Sequence, residues 1–86
     1  MPEKTQKKLN IIGDRVSEGR LRIKPHLTQA DLAARLQVLG LHYMDQAKIS
    51  RIEHGTRPVY DYEILPFAQA LGVSVNWLLS GQDSGY

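Results

Sequence analysis

The sequence predicts an all-α domain of five short helices. Apolar residues recur at three- and four-residue spacing along most of the chain, while alternating β-branched runs are scarce. Thr, Asp or Ser precedes several of these stretches and Gly follows them, as helix starts and stops require. The 86 residues, 42% of them hydrophobic, suffice for one domain with a modest core.

Residues 1–8 read as a loose basic arm, ahead of a domain spanning 9–81. The first helix is expected from Leu9 to Ile23, with Leu9, Ile12, Val16, Gly19 and Ile23 on one face. Gly19 has no side chain there, so a neighbouring helix should approach it closely. Pro25 then ends the helix. Thr28 suits the N-cap of the second helix, accepting from the Asp31 amide, and Asp31 favours the positive end of the dipole. Leu32, Ala33 and Leu36 face inward as far as Leu39, and Gly40 can take the left-handed position that follows. Leu41 to Met44 form a connector. Asp45 caps the third helix and Gly55 stops it. The fourth covers roughly Asp61 to Leu71, followed by Gly72. Pro66 cannot donate to the Tyr62 carbonyl, so this helix either starts at Leu65 or has a distorted first turn. Ser74 caps a fifth helix ending near Ser80-Gly81, and residues 82–86 form a loose tail.

Charge is unevenly spread. Residues 1–26 carry seven Lys or Arg against three acids, whereas residues 58–86 carry three acids and no Lys or Arg. A basic front and an acidic back suit a chain that meets a polyanion at one end, or simply a solvated basic arm. There is no Cys, hence no disulfide and no thiolate metal site. No apolar run approaches the roughly 18 residues of a membrane span, and no apolar segment follows the N-terminal lysines. A cytoplasmic location is the expectation. His26, His42 and His54 lack metal-ligand spacing, the serines show no nucleophile motif, and Gly13 and Gly19 make no phosphate loop. No enzyme, cofactor or metal is expected.

The third helix carries the clearest signal. At roughly 100° per residue, Ile49 and Ile52 define a buried side. Gln46, Ala47, Ser50 and Arg51 lie on the other. Arg can grip the acceptors of guanine in a fork, Gln can pair with adenine, and Ala can touch a thymine methyl. The same residues also suit an ordinary polar surface.

The ordered set Leu27-Thr28-Gln29, Leu32-Ala33, Ile49-Ser50, Ile52-Glu53, Gly55, Leu71-Gly72-Val73-Ser74 and Leu78-Leu79 resembles the lambda-repressor-like helix-turn-helix family of Cro and Xre type. The resemblance covers roughly residues 10–80. It implies a compact five-helix DNA-binding domain whose third helix reads the major groove while the second crosses the backbone. Gln46, Ala47, Ser50 and Arg51 would then face bases. Thr28, Gln29, Lys48, His54, Thr56 and Arg57 would meet phosphate, Gln29 also bracing Gln46, and helix N-termini favour such anions. Arg20 and Glu53 would form a structural ion pair. Such proteins regulate transcription, commonly as repressors, and often dimerise through the C-terminal region on a two-fold operator. No small-molecule domain is expected on this chain. The stretch from Leu36 to Ile49 is about six residues longer than the family's usual turn, and about two extra residues surround Lys24-Pro25. Asp45 places a carboxylate at the tip of the reading helix.

A second class of function is a protein-binding or antitoxin-like module on the same fold, and among the C-terminal apolar residues Tyr62, Phe67, Trp77, Leu78 and Leu79 one that stays exposed could form a dimer seam. Most of these are expected in the core. Such a module would bind duplex weakly and without sequence preference.

Overall fold

Most helices begin where the sequence offers a capping group. The structure, a computed structural model, describes residues 7–82. These form α1 (Gly13–Arg22), α2 (Gln29–Val38), α3 (Gln46–His54), α4 (Asp61–Leu71) and α5 (Val75–Ser80), with no strand among the described residues. The Thr28 hydroxyl accepts from the Asp31 amide at 3.0 Å, and the Asp31 carboxylate accepts from the Thr28 amide at 3.2 Å. This capping box starts α2. Asp45 accepts from the Lys48 amide at 2.8 Å and Ser74 from the Trp77 amide at 2.9 Å, starting α3 and α5.

The helix stops are equally local. At the end of α3 the Gly55 amide donates to the Ile52 carbonyl at 3.0 Å, and the Thr56 amide to the Arg51 carbonyl at 2.9 Å. This closure needs a positive φ, here 81° at Gly55, which glycine adopts without a Cβ clash. The same pair of bonds closes α2, through the Gly40 and Leu41 amides, and α4, through those of Gly72 and Val73.

Helix α1 starts at Gly13 rather than Leu9. The Asn10 Oδ1 accepts from the Ile12 and Gly13 amides at 3.0 and 2.7 Å. Its Nδ2 donates to the Ile52 and Arg57 carbonyls at 3.0 and 2.9 Å. A side chain that competes for backbone groups in this way draws the preceding chain out of the helix. The Leu9 amide donates to the Gly55 carbonyl instead, and the Leu9 side chain is half-exposed rather than core. Most of the basic arm and tail anticipated at 1–8 and 82–86 lies outside the described residues. Of the arm, Lys7 and Lys8 are exposed.

Helix α4 runs unbroken from Asp61 to Leu71 with Pro66 inside it, so the alternative start at Leu65 is not adopted. The Tyr62 carbonyl loses its helical donor, but Tyr62 lies on the exposed side, where water can serve it. The long α2–α3 connector is tied down at several points. Its Leu41 and Met44 side chains are buried, and the Gln37 amide group donates to the Met44 carbonyl at 2.8 Å.

Helix α3 packs against α1 and α2, and α4 packs against α1, α2 and α5. Leu32, Leu36, Ile49, Ile52, Phe67 and Leu78 are wholly enclosed between them. Of the C-terminal apolar residues, Phe67, Trp77 and Leu78 are core, whereas Tyr62 and Leu79 are exposed. No helix of the described residues is long and apolar enough to cross a membrane.

Two glycines of α1 make opposite predictions. A Cβ on Gly13 would run into the carbonyl oxygen of Ile52, a backbone atom that cannot swing aside. A Cβ on Gly19 would meet the Leu71 side chain at an ordinary 3.4 to 3.7 Å, the close approach of α4. Gly13→Ala is expected to cost about 1–3 kcal/mol. Gly19→Ala should be neutral or gain up to about 1 kcal/mol from helix propensity. Thermal unfolding followed by circular dichroism measures both, and a tolerated Gly13→Ala would contradict this packing.

Candidate nucleic-acid interface

Helix α3 has two unlike sides. Ile49 and Ile52 have no exposed surface, while Gln46, Ala47 and Arg51 are exposed and Ser50 is half-buried. The four residues expected to read bases are therefore presented on one outward side of one helix. Arg51 makes no ion pair among the described residues.

The inward side is fixed by Glu53. Arg20 donates to it twice, from Nε at 2.7 Å and from Nη2 at 2.9 Å, in the fork geometry that suits a carboxylate. The two side chains are only 12% and 8% exposed, so this is a structural pair, as expected. The hydrogen bond to Glu53 outweighs desolvation and raises the Arg20 pKa further. The third Arg20 contact, Nη1 to the Leu27 carbonyl at 3.0 Å, holds the α1–α2 loop. Gln29 donates to Glu53 at 3.0 Å, so its amide group braces Glu53 rather than Gln46.

Both ends of the α3 segment meet a second carboxylate. Glu63 of α4 has no exposed surface, and it accepts from the Tyr43 hydroxyl at 2.5 Å and the Tyr60 amide at 3.0 Å. Arg57 donates to it from Nη1 and Nη2 at 3.2 and 3.3 Å. Burial opposes ionisation of Glu63, but Arg57, Tyr43 and the Tyr60 amide outweigh it and hold the carboxyl below its ordinary range. Desolvation and the neighbouring Glu63 charge push the Tyr43 phenol well up. This weighs against the phosphate role expected of Arg57. Its guanidinium is committed to Glu63 and the Pro58 carbonyl, over the Tyr60 ring.

The remaining rim residues divide by what their side chains already do. The Thr28 hydroxyl oxygen accepts in the α2 cap and keeps its proton for an anion, whereas the Thr56 hydroxyl donates its proton to the Arg51 carbonyl at 3.3 Å. The His54 Nδ1 lies 2.8 Å from the Ser50 carbonyl, which requires the proton on Nδ1 and leaves Nε2 facing away. Lys48 makes a 3.3 Å pair with Asp45, an exposed contact that another anion can readily displace. The Lys48 amide outweighs desolvation and, helped by the Lys48 ammonium and the charge of Arg51, keeps the Asp45 carboxyl below its ordinary range.

One cation at this rim was not singled out from the sequence. Lys8 lays its aliphatic stem over Gly55 and pairs with Asp14 at 3.5 Å. It therefore stands beside the loop that leaves α3. Its membership of the basic N-terminal stretch was the only available signal.

Among the described residues, no group of three or more His, Cys, Asp or Glu side chains is placed to hold a metal. No protein-family model matches this chain, and no curated protein matches it. The chemistry of the α3 face therefore has to speak from its own residues: a planar cation, an amide and a hydroxyl around a small methyl, with loose cations at the edge.

Two consequences concern stability. Arg20→Ala strands a nearly buried Glu53 and should cost about 3–5 kcal/mol. Arg22→Ala should cost far less, because Arg22 pairs with Glu18 in solvent and rests over the Trp77 ring. Urea unfolding of the two variants separates them, and equal losses would remove the structural role of the Arg20 pair.

Glu63 gives stability a pH dependence. Its folded pKa is depressed below the ordinary 4.5, so its contribution is fully present above that value. The contribution is lost as pH falls through the lower folded value. Glu63→Gln should lower stability at neutral pH and flatten the acid limb of the stability curve. Denaturation midpoints taken from neutral pH down to about pH 3 test this. An unchanged slope would mean that Glu63 is not the group responsible.

Proposed function

We propose that this protein binds double-stranded DNA sequence-specifically, laying α3 in the major groove, and regulates transcription as a homodimeric repressor on a two-fold operator. The observation that carries this reading is the two-sidedness of α3. One side is immobilised by Ile49, Ile52 and the Arg20–Glu53–Gln29 cluster. The other offers Gln46, Ala47, Ser50 and an Arg51 that no described acid pairs. Base reading needs that combination: hydrogen-bonding side chains of several lengths on a support that does not move.

Phosphate contacts fall to groups that are free or weakly held. Lys48 and Lys8 can exchange an exposed carboxylate for a phosphate. The first turn of α2 can offer its dipole and the Gln29 backbone N–H. Arg57 is left out, since moving it would strand Glu63. Repression is the simplest consequence, because a dimer seated on its operator excludes other proteins from that DNA.

Selection from a random duplex library, followed by anisotropy titration at two salt concentrations, tests the reading. A symmetric enriched motif bound well above scrambled duplex is expected. Arg51→Ala should relax preference at one base position, by about 1–3 kcal/mol, while keeping non-specific binding. Lys48→Ala should weaken all sequences alike and reduce the salt slope by about one. If no motif is enriched, or if Arg51→Ala selects the same site with unchanged affinity, α3 is not the reading element.

A further inference from the structure

We propose that a second copy of this chain docks on the outer face of α4 and the adjoining end of α2, about a two-fold axis near Leu65. The proposal deepens the dimeric reading above by naming the surface, and it can be tested without DNA.

An apolar strip lies open there. Tyr60, Tyr62 and Leu65 are 48%, 62% and 55% exposed, and Val38 and Leu39 are 86% and 40% exposed. The strip is continuous. The Tyr60 and Tyr62 rings stack at 5.8 Å. Tyr62, Leu65 and Gln69 follow one another along α4 at three- and four-residue spacing. Gln69 then lines a shallow groove of about 270 Å³ with Arg35, Val38, Leu39 and Ala70.

The ends of this strip point to the same chain as its partner. Asp61 stands at the start of α4, exposed and without an ion pair among the described residues. Arg35 stands at the far end, where its Nη1 donates to the Ala70 carbonyl at 2.9 Å. A two-fold axis at Leu65 sets the two α4 helices antiparallel. It brings Asp61 of each copy towards Arg35 of the other, and Tyr62 of each towards the partner's Val38–Leu39 groove. An isologous interface demands such self-complementarity under half a turn, and antiparallel helix dipoles agree with it.

The five apolar side chains expose about 500 Å² together, given the area of large apolar and aromatic residues. A standard interface uses about 800 Å² per partner, so the strip with its polar rim supports a modest, concentration-dependent dimer.

Sedimentation of the full chain from micromolar to millimolar concentration should show a reversible monomer–dimer equilibrium. Leu65→Glu should be monomeric where the parent is dimeric, with an unchanged melting temperature at dilutions where both are monomeric, since Leu65 is outside the core. Asp61→Arg should weaken the dimer about tenfold or more by setting like charges opposite each other. Adding Arg35→Asp to it should restore association. If the loss of the Ala70 contact unfolds that double variant, the Leu65 and Asp61 variants still decide. A parent that stays monomeric, or a dimer indifferent to Leu65→Glu and Asp61→Arg, overturns the proposal. A dimer that obeys these substitutions yet selects no DNA motif overturns the DNA reading alone.

Discussion

Glu63 has no exposed surface, and the segment containing α3 is arranged so that this carboxylate can stay ionised. A charge sealed from water costs several kcal/mol unless its oxygens find donors. Glu63 finds them on three separate stretches: Tyr43 in the connector before α3, Arg57 in the loop after it, and the Tyr60 amide ahead of its own helix. Satisfying one carboxylate thus ties down both ends of the α3 segment. The same energetics explain why Arg57 cannot be lent to an outside anion. Turning its guanidinium away would leave the buried charge short of donors, and the loop would lose its anchor together with the cation.

Glu53 does for the body of α3 what Glu63 does for its ends. It is the acid through which α1 and the start of α2 hold the helix, by Arg20 and Gln29. Together the two acids sort the arginines. Arg15 donates to the Leu78 and Leu79 carbonyls at the end of α5, Arg20 and Arg57 hold buried acids, Arg22 pairs with Glu18, and Arg35 donates to Ala70. Arg51 has no such partner among the described residues. Net charge is therefore a poor guide to what this chain can offer a polyanion. What counts is which cations the fold has not already used.

Much of this was legible in the sequence, and the reasons are physical. Thr28, Asp45, Ser74, Gly55 and Gly72 act through bonds to residues a few positions away, so each marks its helix end without help from the rest of the fold. The outward side of α3 followed from periodicity once Ile49 and Ile52 were assigned inward. The errors lie in side-chain contacts that helical periodicity does not encode, two of the three between segments far apart in the chain. Asn10 stops α1 short because it serves carbonyls at Ile52 and Arg57, more than forty residues away. Arg57 reads as a surface cation until Glu63 is brought beside it. Gln29 and Gln46 are plausible partners by type, yet Glu53 offers Gln29 a charged acceptor. A cation or an amide does not announce its partner. Only the fold decides whether it faces inward or out.

The long α2–α3 connector is itself held in place. A long connector beside a binding surface is harmful where it leaves that surface loosely hinged, because order gained only on binding subtracts from affinity. Here the connector residues carry their own anchors. Leu41 and Met44 are buried, Gln37 holds the Met44 carbonyl, Tyr43 reaches Glu63, and Asp45 starts α3 directly afterwards. Each anchor is an interaction a short turn would not need. The connector therefore changes the path into α3 without giving the helix freedom to rock. Whatever α3 meets on its outward side meets a face whose orientation is already set by the core behind it and by the two carboxylates that hold it.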